Sequence, residues 1–439
     1  MFHSDLYNKF VLALVGLLPL TLVVGTMISE LLIFTIIFFF LSEILIKKKF
    51  EFFKDDIFLF LCVIWIYLLL NLINSTNFEH SLLRSIFFIR FPLLIIATNF
   101  FLKKNSYNFD LIFKLWGITL AIVIIDLYFQ AIFGFNTIGF KSPWPSRLSG
   151  FLNDELKIAH LLIGFVMPTI CFYIPKTKNK IYIIVLIFLY ILILLLTNER
   201  SNTLKGIIVV FGILIFYEKF NFKKKIFSIA MIVLTITLIL SFNKNINQRF
   251  IKEISSNYFK QKVLGEVPPK IEVMDWWTSG FNYIKYSNYG PTYLASLKIF
   301  IKYPIFGSGI KTFRIECKNV DIKNYYTTPD LLNNNTTDLI YNNKCNTHPH
   351  QTYFEILSEL GLIGFLLFFS FFFYLIYKSV KCYLNNKNKI LLSSLLFIFA
   401  QIIPLLPSGS FFTNFGAAIF WINVSIIYSI NKKYEKSIS

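Results

Sequence analysis

Long apolar runs alternate with short polar, mostly lysine-bearing breaks along nearly the whole chain. The runs come close to the roughly 20 residues a helix needs to cross a bilayer, where each segment must satisfy its own backbone hydrogen bonds. Twelve stand out, near 10–29, 31–46, 57–74, 81–101, 110–134, 158–174, 181–197, 203–218, 226–242, 354–377, 390–407 and 412–430. The pattern predicts an all-α polytopic membrane protein with about 12 transmembrane helices. The first run, Phe10 to Ser29, has no signal-peptide cleavage pattern and reads as a retained span. One polar stretch is large, between the ninth and tenth helices. The expected organisation is a bundle of about nine spans over 1–242, a large loop over 243–353, and about three spans with a tail over 354–439.

Inside the large loop, Thr292 to Tyr303 reads as a short amphipathic helix, with Leu294, Leu297 and Ile301 on one face and Lys298 and Lys302 on another. Pro304 stops it, and Gly307-Ser308-Gly309 allows a tight turn. The Asn-rich stretch Leu331 to Asn346 reads as an exposed loop.

Composition agrees with the membrane reading: 56% of the 439 residues are hydrophobic and 15% charged, where a soluble domain carries about a quarter charged. A net charge of +19 invites a nucleic-acid reading, but the lysines sit in clusters between apolar runs. That is the signature of membrane topology, and no nucleic-acid partner is expected. One set of short loops and tails, from Lys9 through Lys47–Lys49, Lys103–Lys104, Lys176, Lys223–Lys225 and Lys378 to Lys436, holds 21 basic residues. The opposite short loops hold four, Lys141, Arg147, Lys157 and Arg200. The lysine-rich side is therefore expected to be cytoplasmic, with both termini, and the large loop periplasmic. Cys317 and Cys345 are the two cysteines expected outside; in an oxidising compartment a pair so isolated predicts a Cys317–Cys345 disulfide.

The outer surface offers few groups for chemistry. His350 stands at the entrance to the tenth span, where helical spacing would align it with Phe354, Leu357, Gly361 and Gly364. Two glycines three residues apart would admit a neighbouring helix, and a histidine held there is a natural general base. The plainer reading is an interfacial histidine beside a packing pair. Six of the 43 basic residues are arginines, and Arg147, Arg200, Arg249 and Arg314 fall outside, against the charge bias. A guanidinium pairs bidentately with phosphate, which lysine cannot reproduce. Arg90 and Asp126 lie within spans and suggest a polar cavity or an internal pair. There is no Walker-type loop, no His-Glu-x-x-His and no Cys-x-x-Cys. His348, His350 and Glu355 make a poor metal set with proline between the histidines, so neither metal nor cofactor is expected.

His350-Gln351, nine residues, then Gly361-Leu362-Ile363-Gly364 is similar to the histidine signature of bacterial O-antigen ligases: His, then Asn, Ser or Gln, nine residues, then Gly-x-x-Gly. Three more segments resemble that superfamily in the same order. They are Asp126, Gln130 and Gly134 with Arg147-Leu148-Ser149-Gly150-Phe151; Thr197-Asn198-Glu199-Arg200 with Leu204; and Tyr303-Pro304-Ile305-Phe306-Gly307-Ser308-Gly309 with Phe313. The second arginine common in the family would fall near Tyr289-Gly290, where none stands; Lys285, Lys298, Arg249 or Arg314 could supply the charge.

The resemblance implies a multi-pass glycosyltransferase of the bacterial inner membrane, working at its periplasmic face. Its donor would be a glycan on undecaprenyl diphosphate. Its acceptor would be lipid A–core for a ligase or another lipid-linked repeat for an O-antigen or exopolysaccharide polymerase, and the histidine signature favours the ligase. His350 would be the base, and Arg200, Arg147, Lys298 and Arg314 the candidates for binding diphosphate or substrate. The transfer would invert the anomeric centre without a metal. A polysaccharide-precursor transporter is the rival from another class; it would place its charges deep in the spans and show repeated halves.

Overall fold

The computed structural model describes residues 4–48, 50–178, 181–216, 222–252, 289–322, 344–404 and 406–438. Among them the chain is helical and has no strand. The main helices, in order, are α1 Ser4–Val24, α2 Thr26–Lys47, α3 Asp56–Asn71, α4 Phe78–Phe87, α5 Arg90–Lys104, α6 Asp110–Phe133 and α7 Ile158–Tyr173. They continue as α8 Ile181–Leu196, α9 Arg200–Phe216, α10 Phe222–Phe242, α11 Gly290–Lys302, α12 Thr352–Asn386, α13 Lys389–Gln401 and α14 Asn414–Ile438. The Asn-rich stretch Leu331 to Asn346 lies almost wholly outside the described residues, as does Lys285.

Each apolar segment read from hydropathy falls largely on helix. Among the described residues, seven spans are long and apolar enough to cross a membrane: α1, α2, α3 with its short extension, α4 with α5, α6, α10 and α12. Helices α7, α8 and α13 are apolar but only 16, 16 and 13 residues long. The fold is thus that of a polytopic helical membrane protein, while the count of twelve crossings rests on the sequence.

Two boundaries move. The first two helices part at Gly25, not near Glu30, because Glu30 is drawn into α2 to meet Arg90 of α5 at 2.8 Å. Residues 81–101, read as one span, begin instead as α4, whose N-cap Asn77 accepts from the His80 N–H, and then bend into α5 at Phe88–Ile89.

Helix α14 is buried almost throughout, packed against α2, α5, α7, α12 and α13, and forms the centre of the bundle. Aromatic pairs such as Phe372–Phe420, edge to face, and Phe371–Trp421, tilted, line its contact with α12, each worth about 0.5–1.5 kcal/mol beyond area burial. The lysine-bearing loops collect at one end of the helices. There Lys176 meets Asp110 at 2.6 Å, Lys378 meets Glu435 at 2.8 Å, and Lys47 and Lys104 share Glu43. The other end carries residues 134–157, 197–200, 303–322 and 344–351 and the α13–α14 connection.

Within the large loop, α11 forms where amphipathicity placed it, with Pro291 in its first turn. Its inward face differs from the expected one: Leu294, Ala295 and Ile299 are buried, whereas Ile301 is 63% exposed. The helix is wedged between α12 and the turn around Cys317, so the faces it hides are set by two neighbours. Cys317 and Cys345 are joined as a disulfide that pins this turn, with their Cα atoms 5.3 Å apart.

Candidate active site

The two glycine motifs meet. Helix α12 does not run straight through Gly361, which takes φ 64°, ψ −166°, a region open in practice only to glycine. At that kink the chain pairs with the turn after α11. Leu362 N–H donates to Pro304 O at 2.9 Å and Ile363 N–H to Ile305 O at 3.3 Å, while Ser308 N–H donates to Ser358 O at 3.0 Å and Gly309 N–H to Glu359 O at 2.8 Å. A Cβ on Gly361 would strike Ile305 O and Gly307 N, and one on Gly307 would strike the Glu359–Leu360 peptide. Gly307 and Gly309 also hold positive φ, at 75° and 106°. The glycines therefore serve a backbone-to-backbone clasp, and helix-on-helix packing at Gly361 is not what is seen. Tyr67 and Asn71 of α3 complete it, donating to Leu360 O and Phe306 O at 2.5 Å each.

The clasp sets the start of α12 and hence His350. Gln351 caps the helix, its Oε1 accepting from Tyr353 N–H at 2.7 Å and Phe354 N–H at 3.1 Å. That explains physically why Asn, Ser or Gln follows the histidine. His350 itself lies before the helix in the left-handed region (φ 58°), so it does not share a helix face with Phe354 and Gly361 as spacing suggested. Its carbonyl accepts from Ser408 N–H at 2.8 Å, in the α13–α14 connection. Its ring packs 4.1 Å from that of His348 and 4.9 Å from that of Tyr289, centroid to centroid. Burial first, and His348 second, hold its pKa down at about 4, against the opposing charge of Glu355. The imidazole is thus unprotonated at neutral pH.

Beneath His350 lies a buried polar network that sequence reading missed. Glu355, fully buried on the first turn of α12, accepts from Phe411 N–H at 2.7 Å and from Ser410 Oγ, and pairs with Lys311 Nζ at 3.4 Å. Glu359, one turn on, accepts from Lys311 N–H at 2.8 Å. Three segments distant in sequence are tied here. Glu355 stood in the sequence only as a poor metal ligand, and Lys311 carried no local signal at all.

The arginines approach from α9. Arg200 begins that helix and donates through Nη1 to Arg249 O at 3.2 Å, while Arg249 Nε donates to Asn198 O at 2.8 Å. Asn198 in turn donates to Ser146 O at 3.0 Å, drawing in the loop that bears Arg147. That loop hangs from α6: Gln130 Oε1 accepts from Ser149 and Gly150 N–H groups, and Asp126 from Thr137. Arg147 Nη2 donates to Leu156 O at 3.3 Å, but its buried Nε has no partner among the described residues. Arg147 is within electrostatic reach of Glu199, Tyr289 and Arg200. Burial pushes the Glu199 carboxyl up to about 7, although Ala159 N–H and Asn202 donate to it.

Tyr289 therefore joins the two halves, lying against His350 on one side and near Arg147 on the other. It occupies the place where the resemblance put a second arginine, and Arg249 is the extra guanidinium found beside Arg200. Of the remaining candidates, Arg314 is exposed and donates to Thr347 O at 3.4 Å, on the His348 side. Lys298 is half-buried on α11. Five residues beyond Tyr293, which faces Phe354, it points well around the helix from the site side.

A family model described as O-antigen ligase matches residues 185–369, a stretch that contains Arg200, Arg249, the glycine turn, His350, Gly361 and Gly364. No curated protein matches the chain. Over that stretch the likeness to the O-antigen ligase and polymerase superfamily, read first from the motifs, is shown.

Proposed function

From this O-antigen ligase-like membrane chain we propose a glycosyltransferase that moves a glycan from undecaprenyl diphosphate to a sugar hydroxyl, lipid A–core in the ligase reading, at the periplasmic face. The observation that supports it most is the meeting, across Tyr289, of an unprotonated histidine with a guanidinium cluster that includes the orphaned Arg147 Nε. An unpaired buried donor costs about 1–3 kcal/mol unless a ligand satisfies it, and a diphosphate oxygen is the acceptor a guanidinium matches best.

In the proposed reaction His350 takes the proton of the acceptor hydroxyl as its oxygen attacks the anomeric carbon. The bond from that carbon to the diphosphate oxygen breaks on the opposite face, so the centre inverts. Negative charge grows on the departing diphosphate, where Arg200, Arg147 and Arg249 stand ready without reorganisation. Packing against Tyr289 and His348 fixes the imidazole plane, and burial keeps it neutral for this role.

The test is a lipopolysaccharide gel and a lipid-linked glycan profile from the native host, comparing wild type with His350→Ala at equal expression. The expected result is core without polymer, with long chains retained on undecaprenyl diphosphate. Core bearing a single repeat, without long lipid-linked chains, would make the protein the polymerase. An unchanged profile would remove His350 from the mechanism.

A further inference from the structure

A second polar feature lies next to the site. A small cleft is lined by His160 of α7, Thr352 of α12, Gln401 of α13 and Ser408, Gly409 and Ser410 of the α13–α14 connection. Its rim touches both halves of the site. Ser408 N–H holds the His350 carbonyl, the Thr352 and Ser408 hydroxyls bond each other at 3.1 Å, and Ser201, next to Arg200, donates to Pro407 O. A Cβ at Gly409 would meet nothing within 4 Å, so the wall there is open.

Behind Gln401 lies Lys205 of α9, with no exposed surface. Its Nζ donates to Gln401 Oε1 at 3.3 Å. Two other buried cations have a counter-charge: Arg90 has Glu30 at 2.8 Å and Lys311 has Glu355 at 3.4 Å. Among the described residues Lys205 has no carboxylate within ion-pair distance. The amide bonded to it also has a spare donor, since the buried Gln401 Nε2 has no partner among the described residues. Gln401, on the cleft wall, thus turns its Oε1 to the Lys205 ammonium directly behind it and carries an Nε2–H without a partner among the described residues. A buried charge without a counter-charge is expensive, and an unmade donor bond adds to the cost.

We propose that this cleft is an anion subsite, in which Gln401 donates to a phosphate or carboxylate oxygen brought by a substrate and Lys205, directly behind that amide, supplies the positive charge. Only the identity of that anion rests on the reading above. It belongs either to the diphosphate of the lipid-linked donor or to an acidic substituent on the acceptor sugar, and both present the same oxygens. Through Ser408, which holds the His350 carbonyl, and Pro407, which accepts from Ser201 next to Arg200, an anion held here sits beside both halves of the site.

The test uses the full chain in lipid nanodiscs and inorganic pyrophosphate as the probe, so it needs no transfer reaction. Wild type binds the probe; Lys205→Met weakens binding by about tenfold or more, the loss expected on removing a nearby positive charge from a site of low effective dielectric. Gln401→Leu weakens it less, and Lys205→Arg, which keeps the cation, stays near wild type. Equal binding by wild type and Lys205→Met, at equal monodispersity, overturns the proposal, as does no binding to wild type. Where transfer is measurable, a tenfold rise in KM for the lipid-linked donor in Lys205→Met assigns the anion to the diphosphate. A rise confined to acceptors bearing phosphate or carboxylate assigns it to the acceptor. A Lys205→Met variant with both KM values unchanged refutes the subsite.

Discussion

Replacing Gly361 with alanine tests the clasp between the two glycine motifs, and with it the link from fold to site. At φ 64°, ψ −166° an alanine sits in a region essentially reserved for glycine, at a cost of about 1–3 kcal/mol. Its Cβ would also strike Ile305 O and Gly307 N, both backbone atoms that cannot swing aside. The clasp must then open, giving up the four bonds at 2.8 to 3.3 Å between residues 304–309 and 358–363. At about 0.5–1.5 kcal/mol net for each, that loss is about 2–6 kcal/mol. Opening relieves the strain, so the expected destabilisation is that of the lost bonds, about 2–6 kcal/mol. A control isolates the collision from the strain: Gly139 also has positive φ, 98°, but faces open space, so Gly139→Ala should lose only about 1–2 kcal/mol. Unfolding of both variants in nanodiscs measures the difference. Because the clasp fixes the start of α12, Gly361→Ala that still folds should also transfer glycan about a hundredfold more slowly, the cost of displacing a reacting group by about an ångström. Equal stability loss in the two variants, with transfer intact, would show that the clasp neither holds the fold nor aims His350.

Three other outcomes follow from the same structure. His350 and His348 are both held at about 4, mainly by burial, so transfer should stay level from neutral pH down to about pH 5 and fall only near pH 4; an acid limb at 6.5 or above would contradict the buried geometry. For these two rings the linkage has the same sign: between about pH 4 and 6.5 their unfolded forms bind protons that the folded chain excludes, so their contribution to stability declines as pH falls, opposite to that of Glu199, held up at about 7; a stability difference between wild type and a His348→Gln, His350→Gln double variant that stays constant over that window would refute the burial of both rings. Replacing Cys317 and Cys345 by serine releases a closure spanning 28 positions and should cost about 3–4 kcal/mol; thermal unfolding unchanged by the double variant, or by reductant on wild type, would argue against the bridge.

Much of this protein is written locally in its sequence. The apolar runs foretell the helices because a chain in hydrocarbon must close its own backbone hydrogen bonds, and that requirement needs no knowledge of neighbours. His350, Gly361, Gly364, Gly307, Gly309 and Arg200 could be singled out because their spacing matches a known signature. What the spacing meant could not be read there. Helical periodicity put His350 and Gly361 on one face, whereas the chain leaves the helix at both, because a turn 50 residues upstream supplies the hydrogen bonds that pay for the kink. Glu355, Lys311, Ser410, Tyr289 and Lys205 carry no local pattern. Each acquires its role only when helices and loops far apart in the chain place a charge or a ring beside it, in a setting dry enough for one missing partner to matter. Local rules fix which segments become helix. Desolvation and close packing, which exist only once the segments assemble, decide which side chains form the site.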